Sequence, residues 1–230
     1  MDEDNLGKGR DIKKFYEKYP FPNTELKNMN LESNSWILKV LSSPVKENSN
    51  ILDIGCGTGE ISLFLSKYGT VQGIDFCEKS IEIANKIKDE LKIRNVCFSS
   101  DDITKEKERG KYDYLFCIGV LHHIPEMDKA IENIRKCMHE DSVLIIGLNN
   151  KWFDKRNRIT GWKFKKEHVA REKDFSSHPY SMTYTQKDAE KILRKYFQIT
   201  NTWRNVPEII RFMTGKFGMM LFECKLKDEK

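Results

Sequence analysis

The sequence predicts an α/β protein built on a parallel sheet with helices on both faces. Short apolar segments alternate with amphipathic helical patterns between residues 51 and 148, which is typical of parallel sheets. A glycine-rich segment, 55–59, directly follows the first apolar segment, and glycines there permit a tight turn into a helix. We therefore expect ligands to bind at the carboxyl ends of the strands, as they do in open α/β sheets.

The alternating region contains five predicted strands and three predicted helices. Each strand is a short apolar run, as expected for strands buried on both faces: 51–54, 71–74, 96–98, 112–118 and 143–148. Apolar residues recur at helical spacing in the stretches between them, which predicts helices at 61–68, 78–91 and 127–138.

The alternation stops after residue 148 and resumes near residue 185. Thr185 and Asp188 form a capping-box-like start for a helix that extends to Tyr196. Two final strands, 197–203 and 217–225, are predicted to follow it. Residues 149–184 are therefore predicted to form an insertion that leaves the sheet at its carboxyl edge.

Composition excludes several classes of protein. The 230 residues include 13 Phe, 8 Tyr and 4 Trp, which argues against disorder. The longest apolar runs have six residues, whereas a membrane helix needs about 20. The first residues lack the apolar region of a secretory signal, and six cysteines without CxxC spacing disfavour a zinc site. We expect a reduced, cytoplasmic chain with no membrane span and no metal.

The net charge of +5 is concentrated in one segment. Residues 151–174 contain nine Lys or Arg and four Asp or Glu, so this segment accounts for the whole excess. It also contains aromatic residues, and we expect Trp152, Arg156 and Arg158 to bind an anionic small molecule. A solvated surface loop is the alternative. Nucleic acid is disfavoured as a partner because one loop of this charge is small beside a nucleic-acid footprint.

The glycine loop predicts a site for a nucleoside-bearing cofactor. Gly55, Gly57 and Gly59 allow a ligand to approach the backbone, and Asp75 ends the second predicted strand 20 residues after Gly55. A carboxylate at that place can accept hydrogen bonds from ribose hydroxyls. The dinucleotide pattern GxGxxG/A has Glu60 at its last position, which disfavours a pyrophosphate there.

Five segments together resemble the class I S-adenosylmethionine-dependent methyltransferases. They occur in the order of that family and cover about 100 residues: ILDIGCGTGEISLFL (51–65), GIDFCEKSIEIA (73–84), VCFSSDDIT (96–104), YDYLFCIGVLHHI (112–124) and the helix–strand unit 126–148. The resemblance implies a seven-stranded, mostly parallel sheet with one antiparallel strand at the edge. It also implies a Rossmann-like domain over 51–230 and an N-terminal helical lid over 1–50.

The same resemblance assigns roles around the cofactor, S-adenosylmethionine, and its product S-adenosylhomocysteine. The three loop glycines would approach the aminocarboxypropyl arm, and the backbone near Ile118 would bind its ammonium group. Asp101 or Asp102 would meet the adenine. The complete set of cofactor residues implied is Asp53, Gly55, Gly57, Gly59, Asp75, Phe76, Asp101, Asp102, Ile103 and Ile118. For Asp53, ordering of the loop is an equal alternative.

Candidate residues for chemistry lie after the fourth strand and in the insertion. His123 and His178 are candidate general bases, because imidazole titrates near neutrality. A structural role for each is the alternative. Aromatic residues of the N-terminal segment and of the insertion are expected to bind the acceptor: Tyr16, Tyr19, Tyr180 and Tyr184.

Other functions stay open at the level of the sequence. An RNA or protein methyltransferase would use the same cofactor site with a larger acceptor. An NAD-dependent oxidoreductase would share the doubly wound sheet, although Glu60 counts against it. A non-catalytic subunit would bind the cofactor without turnover. The sequence predicts no oligomeric state.

Overall fold

A computed structural model of the chain describes residues 3–22, 26, 29–151, 180–203 and 219–227, with side chains described from residue 11 onwards. Four residues predicted to take part in the site lie outside these ranges: Trp152, Arg156, Arg158 and His178. Most of the predicted insertion lies outside them as well.

Seven strands form one sheet within the described residues. They are β1 Ser49–Ile54, β2 Gly69–Asp75, β3 Val96–Ser100, β4 Tyr112–Ile118, β5 Met138–Asn149, β6 Phe197–Trp203 and β7 Met219–Leu226. Their order is β3-β2-β1-β4-β5-β7-β6, and β7 is antiparallel to both of its neighbours. The predicted mostly parallel sheet is confirmed. The prediction that the antiparallel strand forms the edge was wrong, because β7 inserts between β5 and β6.

Helices cover both faces of this sheet, as predicted. The α-helices are α1 Glu3–Lys18, α2 Glu60–Leu65, α3 Glu78–Glu90, α4 Met127–Lys136 and α5 Gln186–Leu193. Two 3₁₀ helices span Leu31–Val40 and Leu121–His123. None of the described helices has the length and apolar character needed to cross a membrane.

Alternating strand side chains divide the core into two apolar clusters, one on each face. Leu115 and Cys117 of β4 face α4 and α5, whereas Tyr114 and Phe116 face α2 and α3. Both clusters consist mainly of aliphatic and aromatic residues, each of which stabilises the fold by roughly 1.5–3 kcal/mol when fully buried. The sheet is therefore covered on both faces, and the carboxyl ends of its strands are left for a site.

The segment before β1 is hydrogen-bonded to β6 and β7, at the opposite end of the sheet from β3. Ile37 and Val40 of the 3₁₀ helix Leu31–Val40 are fully buried. Just after this helix, the backbone N–H and the hydroxyl of Ser42 donate to the carboxylate of Glu223 on β7. Asn201 of β6 donates from Nδ2 to the carbonyl oxygen of Val40 at 2.8 Å. These bonds hold the 3₁₀ helix Leu31–Val40 and the residues that follow it against β6 and β7.

Candidate active site

A cavity of about 830 Å³ lies at the carboxyl ends of the central strands. Its walls include the glycine loop after β1, the ends of β2, β4 and β5, the loop after β3, and one side of α1. Small-molecule and cofactor sites commonly have volumes of about 300–1,000 Å³. This cavity is therefore large enough for a ligand of the size of a nucleoside cofactor.

The glycine loop takes its shape from two close approaches. Gly57 has a φ of +54°, and a Cβ atom at this position would lie 2.0 Å from the carbonyl oxygen of Phe21. Gly59 has a φ of +88°, and a Cβ atom there would lie 2.5 Å from Cζ of Phe98. Side chains are strained at such φ values and would collide here, so the loop requires glycine at both places. Gly55 and Gly57 line the cavity, whereas Gly59 packs behind the loop.

Asp75 joins the end of β2 to the glycine loop. Its carboxylate accepts from the backbone N–H of Gly57 and from that of Cys77, each at 2.9 Å. Burial raises the pKa of Asp75, while these two hydrogen bonds act to lower it. Asp75 and the following Phe76 both line the cavity, at the place predicted for a ribose.

Asp53 lies beneath the loop and does not line the cavity. It is 2% exposed, and its Oδ2 accepts a hydrogen bond from the Ser62 hydroxyl at 2.6 Å. Burial raises the pKa of Asp53 to about 7; the Ser62 hydrogen bond opposes this rise and the charge of Asp75 adds to it. The position of Asp53 fits the ordering of the loop, which was the alternative at the sequence level.

The loop after β3 distinguishes the two neighbouring carboxylates. Asp101 accepts from Nε and Nη2 of Arg109 at 2.8 and 3.0 Å. Although partial burial acts to raise it, Arg109 and Lys107 hold the pKa of Asp101 below its usual range. Asp102 accepts from Thr104 through Oδ1, and its Oδ2 has no hydrogen-bond partner among the described residues. Both aspartates line the cavity with Ile103.

His123 and Tyr16 meet where α1 crosses the cavity. The Nδ1 of His123 lies 3.1 Å from the carbonyl oxygen of Tyr180, and because a carbonyl only accepts, Nδ1 carries the proton. The Tyr16 ring lies 6.3 Å from the His123 ring and 5.9 Å from the Phe76 ring, measured between centroids. Burial, with the nearby charge of Asp75, raises the pKa of Tyr16 well above its usual range. Both side chains line the cavity.

Three tyrosines predicted to bind the acceptor do not line the cavity. Tyr19 is 40% exposed and packs its ring on Phe15. Tyr180 contributes a backbone carbonyl to His123 rather than a side chain to the wall. Tyr184 packs in the core, because its backbone N–H donates to Asn149 and draws the segment against the end of β5.

Some lining residues were not predicted from the sequence. Met219, which begins β7, and Asn149, which ends β5, both line the cavity. Nothing in the sequence indicates that these two strand ends are neighbours. Lys13 of α1 and Glu60 also line it, and the Oε1 of Glu60 is buried without a hydrogen-bond partner among the described residues. From the sequence, Glu60 was expected only to disfavour a pyrophosphate, and not to line the cavity.

Comparison with known proteins identifies one family. The family model described as a methyltransferase domain matches residues 45–212. An uncharacterised protein of Rickettsia prowazekii is 28% identical over 68% of this chain and 61% of its own length. A ubiquinone biosynthesis O-methyltransferase of Pelagibacter ubique is 32% identical over 49% of this chain and 48% of its own length. The chain thus spans less than two thirds of the length of either curated relative.

Solved structures share the fold. A 1,6-didemethyltoxoflavin-N1-methyltransferase of Burkholderia thailandensis, bound to 1,6-didemethyltoxoflavin and S-adenosylhomocysteine, superimposes with a TM-score of 0.67. The match covers 97% of this chain and 91% of that protein, at 13% sequence identity. At this level of identity, the similarity concerns the fold rather than the acceptor.

Proposed function

The chain belongs to the methyltransferase domain family, and on that premise we propose that it transfers the methyl group of S-adenosylmethionine to a small-molecule acceptor. The observation that carries the proposal is the cavity itself. It extends from the loop after β3, across the glycine loop, to the ends of β4 and β5. A cofactor and a small acceptor could therefore lie end to end within it.

The cofactor would occupy the part of the cavity over β1, β2 and β3. In this arrangement the backbone of Gly55 and Gly57 approaches the aminocarboxypropyl arm, and the backbone of Ile118 accepts from the ammonium group. Asp75 binds the ribose beside Phe76. The carboxylate of Asp102, which has an uncommitted oxygen among the described residues, accepts from the adenine amino group beside Ile103. Asp53 and Gly59 support the loop from behind.

Glu60 supports a sulfonium cofactor over a dinucleotide. Its carboxylate lines the cavity at the start of α2, and one of its oxygens is buried without a hydrogen-bond partner among the described residues. A pyrophosphate would place like charge beside this carboxylate, whereas the cofactor proposed here carries a positive sulfur and no phosphate. Family membership and the Glu60 carboxylate together disfavour an NAD-dependent oxidoreductase.

The acceptor would occupy the part of the cavity beyond Ile118. The walls there are mainly aromatic and apolar, with a few polar groups, as in many sites for small organic ligands. The residues concerned are Tyr16, Trp36, His123, Asn149 and Met219. Methyl transfer is an in-line displacement, so holding the acceptor in line with the sulfur supplies much of the acceleration. His123 is the proposed general base, and its basic nitrogen is Nε2 because Nδ1 donates to Tyr180.

An anionic acceptor remains part of the proposal. It rests on the concentration of positive charge in residues 151–174, which include Arg156 and Arg158. Neutralising these two arginines should weaken binding of an acidic acceptor and leave the affinity for the cofactor unchanged. Equal loss of both affinities, or no loss of either, would remove this part of the proposal.

Calorimetric titration with S-adenosylmethionine and S-adenosylhomocysteine tests the proposed function. Both should bind to the wild-type protein, and Asp75→Asn should weaken both by roughly tenfold or more, since a hydrogen bond to a charged group is lost. Asp141→Asn, on an exposed part of β5, is the matched control and should bind normally. Absence of binding to folded wild-type protein would refute the proposal. Methylation of RNA or protein, but of no small molecule, would refute the acceptor class.

A further inference from the structure

The loop after β3, residues 101–109, is organised around one buried guanidinium. The Arg109 side chain is only 4% exposed. Besides its two bonds to Asp101, Nη2 donates to the carbonyl oxygens of Asp102 and Lys105 at 2.9 and 3.0 Å. Nη1 donates to the carbonyl oxygen of Lys107 at 3.2 Å. One side chain thus holds the loop from within at four of its residues.

Two further contacts attach this loop to the rest of the cavity wall. Asn133 of α4 donates from Nδ2 to the carbonyl oxygen of Ile103 at 2.9 Å and to that of Lys105 at 3.2 Å. The backbone N–H of Asp101 donates to the carbonyl oxygen of Asp75 at 2.9 Å. The loop is therefore fixed relative to the end of β2, where the ribose is proposed to bind.

The consequence is a different state for each of the two adjacent carboxylates. Both oxygens of Asp101 are engaged by Arg109, so this carboxylate is neutralised by a charge-assisted, bidentate pair. Asp102 uses only Oδ1, and the carbonyl beside it is held by Arg109. Within the described residues, Oδ2 of Asp102 is the carboxylate oxygen of this pair that is left to accept from a ligand.

We propose that Arg109 is a positioning residue that determines the base selectivity of the cofactor site. Arg109 donates to both carboxylate oxygens of Asp101 and holds the loop. As a result, Asp102 alone accepts a hydrogen bond from the exocyclic amino group of adenine. This inference rests on the proposed function, because it requires that S-adenosylmethionine binds here. The selectivity has a simple origin: a carboxylate accepts from the amino group of adenine but is repelled by the carbonyl that replaces it in hypoxanthine.

The test compares two ligands, S-adenosylhomocysteine and its deaminated form, S-inosylhomocysteine, by calorimetry. The dissociation constant of S-inosylhomocysteine divided by that of S-adenosylhomocysteine reports base selectivity. This ratio is insensitive to a general loss of binding. Asp102→Asn should reduce this ratio by about 10- to 100-fold, the value of one hydrogen bond to a charged group. Arg109→Lys keeps the charge but loses the planar fork, and should reduce the ratio by roughly tenfold.

Two other variants complete the test. Arg94→Lys is the matched control, because Arg94 is exposed and precedes β3, at the opposite end of that strand from the loop, and it should leave the ratio unchanged. Asp101→Asn removes one charge of the bidentate pair while keeping its shape, and should reduce the ratio less than Asp102→Asn does. Asp101→Asn also tests the inference if Arg109→Lys does not fold. If Asp101→Asn reduced the ratio more than Asp102→Asn does, Asp101 would be the residue that contacts the adenine, and the inference would be overturned.

The outcomes separate the inference from the function on which it rests. If wild-type protein binds neither ligand, the proposed function fails and the inference fails with it. If the wild type prefers the adenine ligand and folded Arg109→Lys keeps the full preference, the inference is overturned while the proposed function stands. Loss of preference in Asp102→Asn and Arg109→Lys, with an unchanged Arg94→Lys, supports the assignment.

Discussion

Replacing Asp53 by asparagine should change how the stability of this protein depends on pH. Burial raises the pKa of Asp53 from 3.8 to about 7. A carboxyl group with a raised pKa favours the folded state while it is protonated. Its contribution is therefore complete below the unfolded value of 3.8 and is lost as the pH rises through about 7. The whole shift corresponds to at most about 4 kcal/mol, of which roughly 2–3 kcal/mol falls between pH 5 and pH 8.

Urea unfolding of the wild type and of Asp53→Asn, at intervals from pH 5 to pH 8, measures this effect. Asparagine retains an acceptor for the Ser62 hydroxyl but does not ionise, so groups that titrate elsewhere cancel in the difference. The wild type should lose stability relative to the variant as the pH rises. Asp141→Asn, at an exposed position, is the control for replacing an aspartate by asparagine. Parallel curves for the wild type and Asp53→Asn would refute the argument that burial raises the pKa of this carboxyl towards neutrality.

Three further predictions concern the loop, the N-terminal attachment and the proposed base. Gly57→Ala should lower the thermal unfolding midpoint more than Gly110→Ala does: both positions have positive φ, which costs about 1–2 kcal/mol, but only at Gly57 would the new Cβ meet a backbone oxygen. Glu223→Gln should lower the free energy of unfolding in urea by about 1–3 kcal/mol, because the amide offers Ser42 one acceptor in place of two. His123→Gln should lower kcat by roughly 100-fold or more at unchanged cofactor affinity, measured in a methyl-transfer assay with an acceptor that must lose a proton.

Each of these has a clear contrary result. Equal midpoints for the two glycine variants would mean that the backbone at Phe21 moves to make room for a side chain at residue 57. If Glu223→Gln had the same free energy of unfolding as the wild type, the hydrogen bonds between Glu223 and Ser42 would contribute no more to stability than the bonds these groups make with water. Full turnover of His123→Gln across the pH range would leave the imidazole with a structural role only.

The parallel half of the sheet was predictable because its strands are marked by burial on both faces. The predicted limits of β4, 112–118, match the observed strand, and the helix that begins after Thr185 has the predicted cap. β5 begins at Met138, five residues earlier than predicted, because its first part contains the polar residues His139, Glu140 and Asp141. Periodicity detects burial, and this part of the strand is largely exposed.

The site was predictable where one short motif determines it and not where distant segments meet. Gly57 and Asp75, both predicted to take part in the cofactor site, are joined by a hydrogen bond, since the loop and the end of β2 follow from local pattern. The different hydrogen bonding of Asp101 and Asp102 depends on Arg109, whose contact with them no periodicity indicates. Tyr184 looked like a ligand-binding residue, but its backbone pairing with the end of β5 draws it into the core.

The attachment of Ser42 to Glu223 has a consequence for the order of folding. These residues are 181 positions apart, and β7, which carries Glu223, lies between β5 and β6 rather than at the edge. On the ribosome, α2 can cover part of the segment with Ile37 and Val40 early, whereas the bonds from Ser42 to Glu223 form only after almost the whole described chain has been made. Contacts of such long sequence separation slow folding, so newly made chains should depend on chaperones more than the local regularity of β1–β5 suggests.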